Sequence, residues 1–129
     1  MIVDSSAVLA ILFGESEAAV YAGALISADT LRISAVNFVE ASVVVDAQTR
    51  GGGSRQFDAF FRRAAIAIEP VTEEQAYIAR QAYADFGKGR HPAGLNFGDC
   101  FAYALAKSRG EPLLFKSNDF GRTDIDSAV

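Results

Sequence analysis

Four short, largely apolar runs punctuate this chain: Met1-Ile2-Val3, Leu31-Arg32-Ile33, Ile66-Ala67-Ile68 and Leu113-Leu114-Phe115. Between them lie stretches with the apolar spacing of helices, at 5–12, 17–26, 35–49, 54 onward through Phe57, Phe60 and Phe61, 72–86 and 98–108. A strand that is apolar throughout must be covered on both faces. Strands that alternate with helices are joined by crossovers and therefore run parallel. The pattern restricts the chain to an α/β fold, a three-layer α/β/α arrangement around a central parallel sheet of four or five strands. Thr123-Asp124-Ile125 is the candidate fifth strand.

The punctuation agrees with this division. Ser34 can cap the helix that follows it, and Gly51-Gly52-Gly53 ends that helix. Pro70 closes the third strand, and the Thr72 to Gln75 spacing is that of a capping box. Residues 87–95 carry the glycines and proline of a loop, and Gly110 with Pro112 stops the last helix. With no repeat, low-complexity tract or dividing linker, residues 1–129 read as one domain.

Composition narrows the chemistry. The single cysteine, Cys100, excludes an intrachain disulfide, and with one histidine, His91, it excludes a zinc-type cluster. Any metal must be held by oxygen, which favours a hard cation such as magnesium. Cys100, beside Phe101 on a helix, reads as core rather than nucleophile. Residues 1–13 are largely apolar, yet Asp4 stands where a secretory signal has positive charge. The stretch also stops at Gly14-Glu15, well short of the ~20 residues of a membrane span. A soluble, cytoplasmic protein with no membrane partner is expected. The net charge of −4 weighs against a DNA-coating protein more than against a metal nuclease, where bound cations supply positive charge at the phosphate.

In open parallel sheets ligands bind beyond the carboxyl ends of the strands, where strand order reverses. Asp4 ends the first strand, Asp119 lies four residues past Phe115, and Asp99 opens a helix, so all three can reach one rim. Each has an ordinary reading: Asp4 as a helix N-cap, Asp99 as an acid in a first helical turn, and Asp119 as part of a turn. Glu40 is harder to set aside. Its helix neighbours include Val36, Asn37, Val43 and Val44, which carry it toward the interior or along a crevice wall. No Lys or Arg lies between Arg32 and Arg50, and a long-range pair with Lys116 is the structural alternative. Carboxylates gathered without counter-charge repel one another, and a divalent cation removes that cost. Such a cation can activate water and stabilise charge on a phosphodiester, singly or as a pair of ions. Lys88, Arg90 and His91 punctuate the loop leading to Asp99, while Lys116 and Arg122 flank Asp119, all candidates to hold a nucleic-acid backbone. A solvated loop is the competing reading of these residues.

These residues resemble a known family. Met1-Ile2-Val3-Asp4-Ser5-Ser6-Ala7 followed by a helix is similar to the start of PIN-domain ribonucleases, specifically the VapC-type toxins of prokaryotic toxin–antitoxin pairs. Asn37-Phe38-Val39-Glu40-Ala41 resembles the second acidic motif of that family, and the run from Leu95 through Gly98-Asp99-Cys100 to Ala106 its third. Leu113-Leu114-Phe115-Lys116-Ser117-Asn118-Asp119-Phe120, then Thr123-Asp124-Ile125, resembles the last. The resemblance spans essentially the whole chain. It implies that Asp4 and Asp99 are the principal ligands of Mg2+, with Mn2+ a substitute, and that Glu40 and Asp119 complete a catalytic acidic pocket. It implies that Ser6 and Ser117 orient the carboxylates. It further implies endonucleolytic cleavage of RNA, homodimerisation, and neutralisation by a cognate antitoxin protein. Whether Asp124 touches metal stays open, as does DNA against RNA as substrate. Two alternatives of other classes are a catalytically inactive PIN-like binding module and a phosphoacceptor signalling domain. The second wants adjacent acids after strand one, where Ser5-Ser6 stand instead.

Overall fold

The computed structural model describes residues 1–129. Four parallel strands, β1 (Ile2–Val3), β2 (Leu31–Ser34), β3 (Ile66–Glu69) and β4 (Leu113–Leu114), form one sheet in the order β3-β2-β1-β4. The helices are α1 (Ser5–Leu12), α2 (Ala18–Ser27), α3 (Ala35–Thr49), α4 (Ser54–Ala64), α5 (Glu73–Phe86) and α6 (Phe97–Arg109).

Alternation along each strand divides the core into two layers, because successive side chains leave a sheet on opposite faces. Val3, Leu31, Ile33, Ile66 and Leu114 face α1 to α4, where Phe57 and Phe61 pack with Phe38. Ile2 and Leu113 face α5 and α6, against Ala79, Ala82, Tyr103 and Leu105. The expected three-layer α/β/α arrangement is therefore present.

The strand count settles at four. Thr123-Asp124-Ile125 is not a strand. A 3-10 turn at Phe120–Arg122 precedes it, and the Thr123 hydroxyl donates to the Phe120 carbonyl at 2.7 Å while accepting from the Ile125 N–H. These local bonds take the place of ladder bonds, and only an isolated bridge from Ser127 to Leu113 touches the sheet edge. Two helix ends also differ from expectation. Arg50, not a glycine, ends α3 in the left-handed conformation at φ 51°, and the Thr72 box is only half formed. Thr72 accepts from Gln75 N–H, but the Gln75 side-chain oxygen is buried without a donor.

What positions the site is the place of β1 between β2 and β4. The chain adds β2 and β3 on one side and returns to add β4 on the other, so the sheet reverses order at β1. The crevice belongs beyond the carboxyl ends of β1 and β4. The register Val3 to Leu114, with Asp4 N–H bonded to the Leu114 carbonyl at 2.9 Å, sets the segments after the two strands side by side.

Candidate acidic active site

Asp4 caps α1 from the carboxyl end of β1. Its Oδ2 accepts from the Ser6 N–H at 3.0 Å and the Ser6 hydroxyl at 2.5 Å, which fixes the start of α1. Ser6 in turn accepts from the Lys116 N–H at 3.0 Å, tying this bond to the segment after β4. The other oxygen, Oδ1, is buried with no donor. Asp4 is only 2% exposed. Burial pushes its carboxyl up to about 6, helped by repulsion from Glu40 and opposed by the Ser6 hydrogen bonds.

Asp99 likewise stands at a helix start. Asn96 caps α6, its side chain accepting from the Asp99 N–H at 2.9 Å while the Asp99 carboxylate accepts from the Asn96 N–H at 3.0 Å. That reciprocal box fixes the carboxylate at the start of α6, where it is buried. Burial raises its proton affinity well above the usual carboxylate range, against the Asn96 bond, and Asp4 and Asp119 add repulsion. Asp119 opens the 3-10 turn without capping it through its side chain.

Glu40 lies on the crevice wall, half-buried, rather than in an apolar interior; Val39 and Val43 beside it are exposed. Its Oε1 accepts from the Ser5 hydroxyl at 2.5 Å and from the Asn37 amide at 3.4 Å. Lys116 does not pair with it. That lysine binds Glu15 and Glu17 instead. None of the four acids has an ion pair.

The donor set is wholly oxygen. No three acidic, histidine or cysteine side chains are already grouped as a metal cage. Magnesium tolerates this, since it keeps several waters and takes one or two carboxylates directly. The orphaned Asp4 Oδ1 and the raised proton affinity of Asp4 and Asp99 both fit a divalent cation beside them.

The remaining sequence candidates scatter. Lys88 and Arg90 are exposed, and Arg90 lies over the Tyr83 ring. His91 Nδ1 accepts from the Ala93 N–H at 3.0 Å and the ring packs edge-on against Phe86, so it staples its own loop. Arg122 is exposed on the turn after Asp119. Asp124 binds Tyr103 and Lys107, each at 2.7 Å, one and two turns along α6 from Asp99. The sequence does not mark Ser5, Asn37 or Asn96 as partners of the acids; only the Asn-x-x-Asp spacing of the α6 cap is readable there. The largest concavity, about 1070 Å³ between α2 and α4, is lined by Leu25, Ile26, Arg55, Phe60 and Arg63 and by none of the four acids.

Fold and side chains together define a class, a parallel-sheet protein with acidic side chains free of ion pairs around its switch point. The PIN domain family model matches residues 1–126. The chain is 55% identical to Ribonuclease VapC28 of Mycobacterium tuberculosis, over 100% of this chain and 98% of that protein. It is 43% identical to Ribonuclease VapC of Mycolicibacterium smegmatis, over 97% of each. Among solved structures, M. tuberculosis VapC20, described as a Sarcin-Ricin loop cleaving toxin, superposes with a TM-score of 0.76 at 16% identity, covering 96% of this chain and 95% of that one. A chain of a toxin-antitoxin complex from Klebsiella pneumoniae gives 0.69 at 15% identity, covering 95% and 92%. The chain belongs to the PIN-domain family, among the VapC ribonucleases.

Proposed function

We propose that this protein is the toxin of a toxin–antitoxin pair and a magnesium-dependent endoribonuclease acting through Asp4, Glu40, Asp99 and Asp119. The observation that carries the reading is the set of four carboxylates at the β1–β4 switch point, without ion pairs and with Asp4 Oδ1 buried and unpartnered. Full-length relatives named ribonucleases support the same reading.

Asp4 and Asp99 would hold Mg2+, or Mn2+ in its place, with Glu40 and Asp119 closing the pocket. When bound, the cation supplies Lewis-acid charge at the phosphate and lowers the pKa of water. Ser6 locks Asp4 in one orientation, and Ser117 has its hydroxyl free for the same service at Asp119. Glu40 Oε2, which accepts no hydrogen bond from the protein, is the acceptor for the proton of the attacking water. Water oxygen bonds to phosphorus, the P–O3′ bond breaks, and 5′-phosphate and 3′-hydroxyl ends result.

The RNA approaches over the Lys88 side. Lys88 shares a groove of about 520 Å³ with Arg80, Tyr83, Phe97 and Asn96, so cations and aromatic rings lie next to the Asp99 turn. Arg90 and Arg122 add exposed charge, whereas Lys116 must leave Glu15 and Glu17 to reach phosphate. His91, engaged in its own loop, contributes through its outer ring edge. Residues 1–129 act as one nuclease domain in the cytoplasm, paired as a homodimer and silenced by an antitoxin protein.

The test is cleavage of total and transfer RNA by antitoxin-free protein, with Mg2+ or EDTA, alongside Asp99→Ala. Cleavage that needs Mg2+, vanishes in the variant and leaves 5′-phosphate ends is expected. Cleavage that survives EDTA and Asp99→Ala overturns the reading.

A further inference from the structure

Gly98 occupies the second position of α6, where a glycine costs helix stability relative to alanine. The reason for it lies across the crevice. A Cβ at this position would stand 2.2 Å from Glu40 Oε2, 2.8 Å from its Cδ and 2.9 Å from Oε1. The carboxylate of Glu40 therefore rests against the Gly98 backbone, in space that any side chain would take.

Two further groups keep it there. The Ser5 hydroxyl donates to Oε1 from α1, and the Asn37 amide reaches the same oxygen from one turn earlier on α3. Asn37 is fully buried, and its amide also donates to the Gly98 carbonyl at 2.9 Å, pinning the start of α3 to the start of α6. Ser5 directly follows Asp4, and Gly98 directly precedes Asp99. Three helices thus converge on one carboxylate through residues adjoining the two aspartates.

We propose that Ser5, Asn37 and Gly98 are positioning residues: together they form a cradle that holds Glu40 with Oε1 bonded to Ser5 and Asn37 and Oε2 against the α6 backbone next to Asp99. The proposal rests on the ribonuclease reading for its catalytic consequence, though not for the cradle itself. Ser5 and Asn37 occupy Oε1, which leaves Oε2 without a protein donor and, on the ribonuclease reading, as the oxygen to take the water proton. Gly98 matters for the room it leaves.

The experiment is a double-mutant cycle between Gly98→Ala and Glu40→Ala in the full chain. In metal-free protein, Gly98→Ala lowers the melting temperature when Glu40 is present. It raises that temperature in the Glu40→Ala background, where the methyl has room and alanine favours the helix. In RNA cleavage, Gly98→Ala lowers kcat by about a hundredfold, the scale of a lost proton acceptor, with KM nearly unchanged. Combined with Glu40→Ala it costs nothing more. A Gly98→Ala protein that folds only when Glu40 is removed also supports the cradle. Equal loss of stability in both backgrounds, or failure to fold in both, overturns it. If the parent protein cuts no RNA, the melting cycle still decides the cradle, and only the ribonuclease reading falls.

Discussion

Replacing Asp4 by asparagine should make the metal-free protein more stable at neutral pH while removing its response to magnesium. The folded carboxyl holds its proton up to about pH 6, against an ordinary value of 3.8. At 1.36 kcal/mol per unit, the ionised form costs the fold about 3 kcal/mol at pH 7. The sign follows from proton binding. Between about pH 4 and 6 the folded state binds more protons than the unfolded state, so stability falls as pH rises through that window and levels off above it. Asparagine carries no charge to bury, and its carbonyl can take the Oδ2 place, accepting from the Ser6 N–H and hydroxyl. Exchanging charge-assisted bonds for neutral ones returns about 1 kcal/mol, leaving a gain of about 2 kcal/mol. In a chain of this length that raises the melting temperature by about 6–10 °C. Thermal unfolding followed by circular dichroism in EDTA, from pH 4.5 to 8, measures both quantities. The wild-type decline toward pH 6 should flatten in Asp4→Asn, with the remainder due to Asp99, and added Mg2+ should raise only the wild-type midpoint. An Asp4→Asn protein that melts lower at pH 7 and keeps the wild-type pH slope would refute the electrostatic argument.

Asn96→Ala should lower stability by about 1 kcal/mol in urea titration, because the Asp99 N–H loses its cap. Asp124→Ala should leave Mg2+ affinity by calorimetry unchanged and cost less than about 1 kcal/mol, since Asp124 serves Tyr103 and a half-exposed Lys107; weakened Mg2+ binding would place it among the ligands instead. Phe57→Ala, in the cluster with Phe38 and Phe61, should cost about 3–5 kcal/mol and spare the crevice chemistry of whatever fraction remains folded.

Local signals were legible in the sequence because their causes are local. Asp4 and Ser34 cap α1 and α3 by bonding two residues ahead, and those helices begin where the caps place them. The same locality explains why the ordinary and the functional readings of Asp4 and Asp99 were never true alternatives: one carboxylate oxygen caps, and burial acts on the whole group. Thr123-Asp124-Ile125 misled because a three-residue run has too little pattern to outweigh the bonds Thr123 makes to its own turn. Lys116 was unreadable for the opposite reason, its partner Glu15 lying 101 residues away. Asn37 and Gly98, 61 residues apart, carry no signal until α3 and α6 meet.

The position of β4 beside β1 also bears on how the four acids come together. Asp4, Glu40 and Asp99 precede Asp119 in the chain, and the segment holding Asp119 follows a strand that pairs with β1. The helices are local, whereas the β1–β4 pairing spans more than a hundred residues, the kind of contact whose loop-closure cost slows folding. A chain that ends before residue 119, whether truncated or still on the ribosome, lacks one wall of the acidic pocket. The order of strands thus makes the gathering of the four acids depend on the pairing of greatest sequence separation in the sheet.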